Sequence, residues 1–127
     1  MNAPKNKPIL IIDNLQLTIN SLSSVLEEWG YEVDGFVDPM EALSAFREKQ
    51  YFMVFSELFM SNLDGYKLLY RFNQEKPEQN CCLVTGTFED KALLKKTIRL
   101  ANVKHLLKKP ICFERLRSIL EQASTAA

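Results

Sequence analysis

The sequence predicts an α/β fold in which five parallel strands form one sheet with helices on both of its faces. Short apolar segments alternate with stretches of helical periodicity along the 127 residues, and this alternation is typical of a parallel sheet. The first, third and fourth apolar segments are uninterrupted, as expected for strands covered on both faces, whereas the second and fifth are flanked by polar residues. We therefore expect the strand order 2-1-3-4-5, with the second and fifth strands at the edges.

The first strand and helix follow a polar N-terminal tail, expected over residues 1–7. The run "PILIID" ends in an acid and predicts a buried strand. The next helix is predicted by helical spacing and by Gly30, which suits a left-handed helix stop. Its apolar positions are Leu15, Ile19, Leu22, Leu26 and Trp29.

The second strand is predicted at "YEVDGF", where apolar and polar residues alternate instead of forming a continuous apolar run. A set of helix-start signals predicts the helix that follows. Asp38 can cap the helix, Pro39 suits its first position, and Glu41 lies three residues after the cap. Its buried face is expected to carry Ala42, Leu43 and Phe46.

The remaining strands are predicted at "YFMVFS", "CCLV" and "VKHLLK". Asp64 and Gly65 open the third helix, Asn102 is placed to end the fourth, and Pro110 separates the fifth strand from the last helix. The single domain is expected over 8–123 and a C-terminal tail over 124–127. The apolar positions of these three helices are, in order, Leu68, Leu69 and Phe72; Leu93, Leu94, Ile98 and Ala101; and Phe113, Leu116, Ile119 and Leu120.

Composition excludes several classes of protein. Sixteen basic and sixteen acidic residues leave no net charge to attract nucleic acid or an anionic membrane. No apolar run approaches the ~20 residues of a membrane span, and a signal peptide is not evident, so we expect a cytoplasmic protein. At this length we also expect no separate output domain. The three cysteines are odd in number and two are adjacent, which predicts small buried side chains and argues against a disulfide or zinc framework.

Polar side chains follow four of the predicted strands. Asp13 and Asn14 come after the first strand, Glu57 ends the third, Thr85 ends the fourth, and Lys109 follows the fifth. In open parallel sheets the ligand site lies beyond the carboxyl ends of the strands, where the strand order reverses. We therefore expect these side chains to share one crevice.

These residues carry a resemblance to the receiver domains of response regulators, of which CheY-like proteins are an example. It covers about residues 8–122 and rests on "ILIIDN", "GYEV", "DPMEAL", "MSNLDGYKLL", "LVTG" and "KKPI". The resemblance implies a flavodoxin-like (βα)5 three-layer sandwich. It also implies Mg²⁺ held by acids after strands 1 and 3, a phosphoacceptor aspartate after strand 3, and a hydroxyl and a lysine that contact the phosphoryl group.

The chain departs from this pattern at four positions. Asn14 replaces an acid that would bind Mg²⁺, Glu57 replaces the phosphoacceptor, Ser61 replaces a proline, and Leu106 replaces a switching aromatic residue. With one acid lost, the degenerate Mg²⁺ site at Asp13, Asn14 and Glu57 is expected to be weak or empty, and no cofactor is expected.

The extra methylene of Glu57 moves its carboxylate by ~1.5 Å, one C–C bond. A misplacement near 1 Å can cost about 10²-fold in phosphoryl transfer, so no catalytic residue and no enzyme activity are expected. Instead we predict that Glu57 reaches toward Thr85 and Lys109 and forms an ion pair with Lys109. The structural alternatives are a helix-capping role for Asp13 and a solvated strand end at Glu57.

The resulting hypothesis is a stand-alone, degenerate receiver that acts as a protein-interaction module in two-component or phosphorelay signalling, as a monomer or weak homodimer. The alternative is an active phosphoacceptor that takes phosphoryl from a sensor histidine kinase with Mg²⁺, on Glu57 or Asp13. A flavin carrier lacks support, because the loop "DNLQL" has none of the hydroxyls and glycines of a phosphate loop.

The partner, a sensor kinase or a downstream signalling protein, is expected on the face formed by the fourth helix, fifth strand and fifth helix. Lys91, Lys95 and Arg99 form one helical stripe there, and Arg115 and Arg117 extend it. The alternative is that the stripe is only the solvated side of an amphipathic helix. His105, the single histidine, is expected to be structural.

Overall fold

The computed structural model describes residues 7–60, 65–86 and 91–125, in which strands and helices alternate as predicted. The strands are β1 (Ile9–Ile12), β2 (Val33–Phe36), β3 (Met53–Glu57), β4 (Cys81–Thr85) and β5 (His105–Lys108). The helices are α1 (Gln16–Glu28), α2 (Pro39–Glu48), α3 (Gly65–Glu75), α4 (Lys91–Leu100) and α5 (Phe113–Thr125). Helix α5 therefore includes the first two residues of the segment expected to be a C-terminal tail.

The strands form one parallel sheet in the order β2-β1-β3-β4-β5, which confirms the predicted topology. Every residue of β1, β3 and β4 is buried, whereas β2 and β5 are largely half-buried. The uninterrupted apolar runs thus mark the central strands, because helices cover both of their faces.

Alternate residues of β1 face two separate parts of the core, as the period of a strand requires. Ile9 and Ile11 pack with apolar side chains of α1 and α5 on one side of the sheet. Leu10 and Ile12 pack with those of α2, α3 and α4 on the other. The result is the predicted three-layer sandwich. No helix within the described residues is long and apolar enough to span a membrane.

The predicted helix signals act where they were expected. Asp38 Oδ1 accepts a hydrogen bond of 2.9 Å from the Met40 amide, and Pro39 is the first residue of α2. Gly30 and Asn102 have φ values of 97° and 53°, so both adopt the left-handed conformation that ends a helix. These local signals set helix ends independently of the core.

Several predicted core positions are wrong. Leu15 is 55% exposed because α1 begins only at Gln16, so Leu15 precedes the first helical turn. On α4, Ile98 is 37% exposed and Thr97 is fully buried instead. Thr97 tolerates burial because its hydroxyl donates a 2.7 Å hydrogen bond to the Leu93 carbonyl.

Two further errors concern the start of α5. Phe113 is 45% exposed, although it was expected on the apolar face of this helix. Cys112 is also exposed, whereas Cys81 and Cys82 are buried as predicted. Cys112 precedes α5 and Phe113 is its first residue, whereas the buried face of the helix begins at Leu116.

Asp34 links edge strand β2 to Lys49 and Tyr51 and makes a pH-dependent contribution to stability. Its Oδ2 accepts hydrogen bonds from the Tyr51 hydroxyl at 2.6 Å and from Lys49 Nζ at 2.9 Å. Burial raises the pKa of Asp34, but the two hydrogen bonds and the charge of Lys49 lower it by more, so the net pKa lies below its ordinary value.

We expect Asp34→Asn to lower the free energy of unfolding by about 1 kcal/mol at pH 7. A carboxyl group with a lowered folded-state pKa stabilises above its unfolded pKa, and this contribution is lost as the pH falls through the folded value. The difference between wild type and variant should therefore shrink near pH 3. Urea unfolding at pH 7 and pH 3 measures the difference in unfolding free energy between wild type and Asp34→Asn. An equal difference at both pH values would contradict this role of Asp34.

Candidate functional site

Three charged side chains meet at the carboxyl edge of the sheet. Asp13 follows β1, Glu57 is the last residue of β3, and Lys109 follows β5. Asp13 and Glu57 are only 1% and 7% exposed, and Lys109 is half-buried. The predicted convergence of these side chains is therefore confirmed for two buried acids and one lysine.

Lys109 lies between the two acids. Its Nζ donates a hydrogen bond of 2.8 Å to Glu57 Oε1, which confirms the predicted ion pair. The same Nζ lies 2.9 Å from Asp13 Oδ2, a contact that was not predicted. One ammonium thus balances two carboxylates that would otherwise be buried without a counter-charge.

The second oxygen of Glu57 is held by the backbone that follows it. Glu57 Oε2 accepts hydrogen bonds from the Leu58 amide at 2.7 Å and the Phe59 amide at 3.3 Å. Both oxygens of this carboxylate are therefore engaged. Sequence inspection missed these two donors, because every residue except proline carries an amide N–H and nothing in the sequence distinguishes these.

Asp13 is not the helix cap that was the structural alternative, because the N-cap of α1 is Leu15 and no side chain caps this helix. Its Oδ1 accepts a 2.9 Å hydrogen bond from the Leu15 amide, which orders the turn into α1. Its Oδ2 is buried and has no hydrogen-bond partner within the described residues, although Lys109 is close. The contact with Lys109 is thus an ion pair without hydrogen-bond geometry.

The charge state of Lys109 follows from this placement. Burial lowers the pKa of Lys109, but the hydrogen bond to Glu57 and the adjacent Asp13 oppose that effect. The net result is a pKa above the ordinary value for lysine. Lys109 is therefore a firmly protonated cation between the two acids near neutral pH.

The other predicted site residues take different places. Thr85 is buried beside Lys109, and its carbonyl accepts a 3.0 Å hydrogen bond from the Lys109 amide. Asn14 is exposed. Leu106 is half-buried on β5 and packs against the part of the core that contains α2, α3 and α4. Ser61 and Asp64 lie outside the described residues.

Gly65, the first residue of α3, supports the segment that holds Glu57. Its amide donates a 2.7 Å hydrogen bond to the Leu58 carbonyl. A Cβ at this position would lie 2.7 Å from Leu58 Cα and 2.8 Å from Leu58 O, closer than real contacts. The glycine is needed because α3 approaches the backbone after β3 without room for a side chain.

The groups at the site fit a divalent cation poorly. Mg²⁺ requires oxygen ligands in near-octahedral geometry. Of the four carboxylate oxygens of Asp13 and Glu57, only Asp13 Oδ2 has no hydrogen bond, and that oxygen faces the Lys109 ammonium. Lys109 thus supplies the positive charge between the acids, and a metal there would have to displace or accommodate it.

The basic residues predicted to form a partner surface are on the outside of the molecule. Lys91, Lys95 and Arg99 are exposed along one side of α4. Arg115 and Arg117 are exposed on α5, and the guanidinium of Arg117 lies 4.5 Å from the Trp29 ring centroid. Arg117 thus also packs α5 against α1.

His105 lies beside this basic group. Burial lowers the pKa of His105, and the charges of Arg115 and Lys104 lower it further. The imidazole is half-buried on β5, away from the acids at the carboxyl edge of the sheet.

Comparison with known proteins gives one consistent result. The family model for the response regulator receiver domain matches residues 9–121. The transcriptional regulatory protein ZraR of Salmonella typhimurium is 27% identical over 115 residues, which are 91% of this chain and 26% of ZraR. The chain thus spans about a quarter of that relative.

Two solved structures have the same fold. The signal receiver domain of an HD domain-containing protein from Pseudomonas fluorescens Pf-5 is 26% identical, with a TM-score of 0.87 over 98% of this chain and 92% of its own. The chemotaxis protein CheY4 of Vibrio cholerae is 19% identical, with a TM-score of 0.83 over 92% of this chain and 98% of its own.

Proposed function

The chain belongs to the response regulator receiver domain family, whose members are signalling modules of two-component systems, and we propose that it is a protein-interaction module with a degenerate phosphoacceptor site. The observation that carries the proposal is the position of Lys109, 2.8 Å from Glu57 and 2.9 Å from Asp13. The Glu57 carboxylate forms an ion pair with Lys109, the lysine that would contact the phosphoryl group in a phosphorylated receiver.

The proposed roles follow the family pattern residue by residue. Glu57 takes the phosphoacceptor position, Thr85 and Lys109 take the phosphoryl-contact positions, and Leu106 takes the switch position. Receiver domains generally use Mg²⁺ at this site, but here Asn14 supplies no carboxylate and both oxygens of Glu57 are engaged. We propose that neither Mg²⁺ nor phosphoryl transfer is needed for the function, and that the domain is not an enzyme.

The proposed interaction surface is the exposed side of α4 with the adjacent parts of β5 and α5. Lys91, Lys95 and Arg99 are exposed there, and none of them forms an ion pair within the described residues. Exposed cations on one surface favour an acidic protein partner, since they steer its association electrostatically. The partner would be a sensor histidine kinase or a downstream signalling protein.

The test compares the wild-type chain with the double variant Asn14→Asp/Glu57→Asp, which restores both family acids. Each protein is incubated with Mg²⁺ and acetyl phosphate for intact mass measurement, and with Mg²⁺ and beryllofluoride for amide NMR. We expect no phosphoryl adduct on wild type, and only small shifts at residues 57, 85 and 109. The double variant should gain an adduct or large shifts if its fold is intact.

A stoichiometric adduct on the wild-type chain would overturn the proposal and support the active phosphoacceptor instead. The features retained from that function are Asp13, Thr85 and Lys109. An adduct that disappears in Glu57→Gln would assign Glu57 as the acceptor, and one that persists would point to Asp13.

A further inference from the structure

The acids and bases of this neutral chain are strongly separated along the sequence. Residues 8–46 contain no Lys or Arg. The acids in this segment are Asp13, Glu27, Glu28, Glu32, Asp34, Asp38 and Glu41. Residues 91–117 have the opposite character, with Glu114 as their single acid. Their bases are Lys91, Lys95, Lys96, Arg99, Lys104, Lys108, Lys109, Arg115 and Arg117.

The strand order turns this separation into two oppositely charged sides of the molecule. Residues 8–46 form β1, α1, β2 and most of α2, which ends at Glu48 and carries Arg47, paired with Glu75, in its last turn. Strand β2 is one edge of the sheet. Residues 91–117 form α4, β5 and the start of α5, and β5 is the other edge. Glu89 and Asp90, which precede α4, lie outside the described residues.

The acidic side also exposes apolar side chains at one end. Backbone pairing joins the ends of β1 and β2, where the Asp13 amide donates a 3.2 Å hydrogen bond to the Phe36 carbonyl. The first turns of α1 and α2 therefore lie at the same end of the sheet, on its two faces. Leu17 in the first turn of α1 is 77% exposed, and Met40 in the first turn of α2 is 61% exposed, together with the exposed acid Glu41. We call this surface, with Val37 and Asp38, the acidic edge.

The basic side carries a comparable combination. Ile98 on α4 is 37% exposed and lies next to the stripe of Lys91, Lys95 and Arg99. Phe113, at the start of α5, is 45% exposed. These five residues lie on α4 and at the start of α5, the helices on either side of edge strand β5, and we call them together the basic edge. Each edge therefore offers apolar area for burial and charge of one sign.

We propose that the chain associates with a second copy of itself head to tail, with the acidic edge of one copy docked on the basic edge of the next. Charge complementarity identifies the occupant, because the chain itself carries a matching surface for each edge. Two different edges form a heterologous contact, in contrast to a two-fold dimer that pairs one surface with itself. The proposal shares the α4 surface with the proposed function but not the Glu57 site.

Charge attraction at exposed residues makes this association sensitive to salt. At about 0.02 M ionic strength the screening length exceeds the ~10 Å found at 0.1 M, and at 1 M it falls to ~3 Å. We expect the average mass in analytical ultracentrifugation to rise with protein concentration at low salt. The rise should weaken in about 0.5 M NaCl.

Two charge reversals separate head-to-tail association from the alternatives. Lys95→Glu removes charge from the basic edge, and Glu41→Lys removes it from the acidic edge. Each variant alone should self-associate roughly tenfold or more weakly, because like charges then face each other. An equimolar mixture should form heterodimers, since the intact acidic edge of Lys95→Glu meets the intact basic edge of Glu41→Lys.

Matched reversals outside both edges control for net charge. Lys67→Glu on α3 and Glu78→Lys before β4 change exposed residues by the same charge and should associate as the wild type does. Circular dichroism shows whether each variant is folded. A monomeric wild type at low salt would overturn the proposal. So would loss of association in Lys95→Glu but not in Glu41→Lys, because only a two-fold dimer through α4 predicts that result. Neither outcome depends on phosphorylation. The self-association proposal can therefore fail while the proposed function stands, and the reverse.

Discussion

Replacing Lys109 with methionine is expected to lower the free energy of unfolding by about 3 kcal/mol. The replacement leaves the carboxylates of Asp13 and Glu57 buried without the ammonium that now lies 2.9 Å and 2.8 Å from them. Removing one partner of a buried ion pair typically costs about 3 to 5 kcal/mol, because the remaining charge has no compensation. We use the lower end of this range, since the Lys109 side chain is 21% exposed. Urea unfolding at pH 7 measures the loss.

Lys104→Met is the matched control, because Lys104 is an exposed lysine near the same strand. It should change stability by less than about 0.5 kcal/mol. The pKa of Lys109 is raised in the folded protein, so its contribution is complete below the ordinary lysine pKa of about 10.4 and is lost as the pH rises through the folded value. The effect of Lys109→Met should therefore be equal at pH 7 and pH 9. A loss below 1 kcal/mol would contradict the role of Lys109.

Replacing Gly65 with alanine is expected to cost about 2 to 3 kcal/mol and to disturb the Glu57 carboxylate. The added Cβ would meet the backbone of Leu58 at 2.7 and 2.8 Å and the Glu57 carbonyl as well. Backbone atoms cannot rotate away as a side chain can, so either α3 or the segment after β3 must move. Overpacking of this kind costs about 1 to 3 kcal/mol.

Gly86→Ala is the control for Gly65→Ala. The nearest atom to a Cβ at Gly86 is the Lys109 Cβ at 3.4 Å, an ordinary contact. The control should be neutral or slightly stabilising, because alanine reduces the entropy of the unfolded chain. Thermal unfolding compares the two variants, and amide NMR shifts at Leu58 and Phe59 report the position of Glu57. Equal stability of the two variants would show that the close approach at Gly65 is not needed.

The fold could be predicted because its signals are local or periodic. The apolar runs of β1, β3 and β4 identify central strands, and Asp38, Gly30 and Asn102 set helix ends by backbone chemistry alone. Individual burial was harder to predict. Leu15 is apolar but precedes its helix, and Thr97 is polar but satisfies its hydroxyl within its own helix. Both depend on neighbours in space, which hydrophobic periodicity does not describe.

The site could be predicted in part for a related physical reason. Parallel topology brings the ends of β1, β3 and β5 to one edge, so the meeting of Asp13, Glu57 and Lys109 follows from strand order. The detailed pairing depends on the side-chain conformations. A lysine side chain can reach either acid, and the structure shows that Lys109 contacts both. The backbone donors at Leu58 and Phe59 depend on the path of the chain after β3, for which the sequence carries no signal.

The central claim is that Glu57 and Lys109 form a built-in pair, and a double-mutant cycle of Glu57→Gln and Lys109→Met tests it most directly. The free energy of unfolding is measured at pH 7 for wild type, both single variants and the double variant. We predict a favourable coupling of about 2 kcal/mol. Glu57→Gln should destabilise the wild type, but it should be neutral or stabilising with Lys109→Met, because it then removes a buried charge beside Asp13. Equal effects of Glu57→Gln in both backgrounds, within about 0.5 kcal/mol, would contradict the claim.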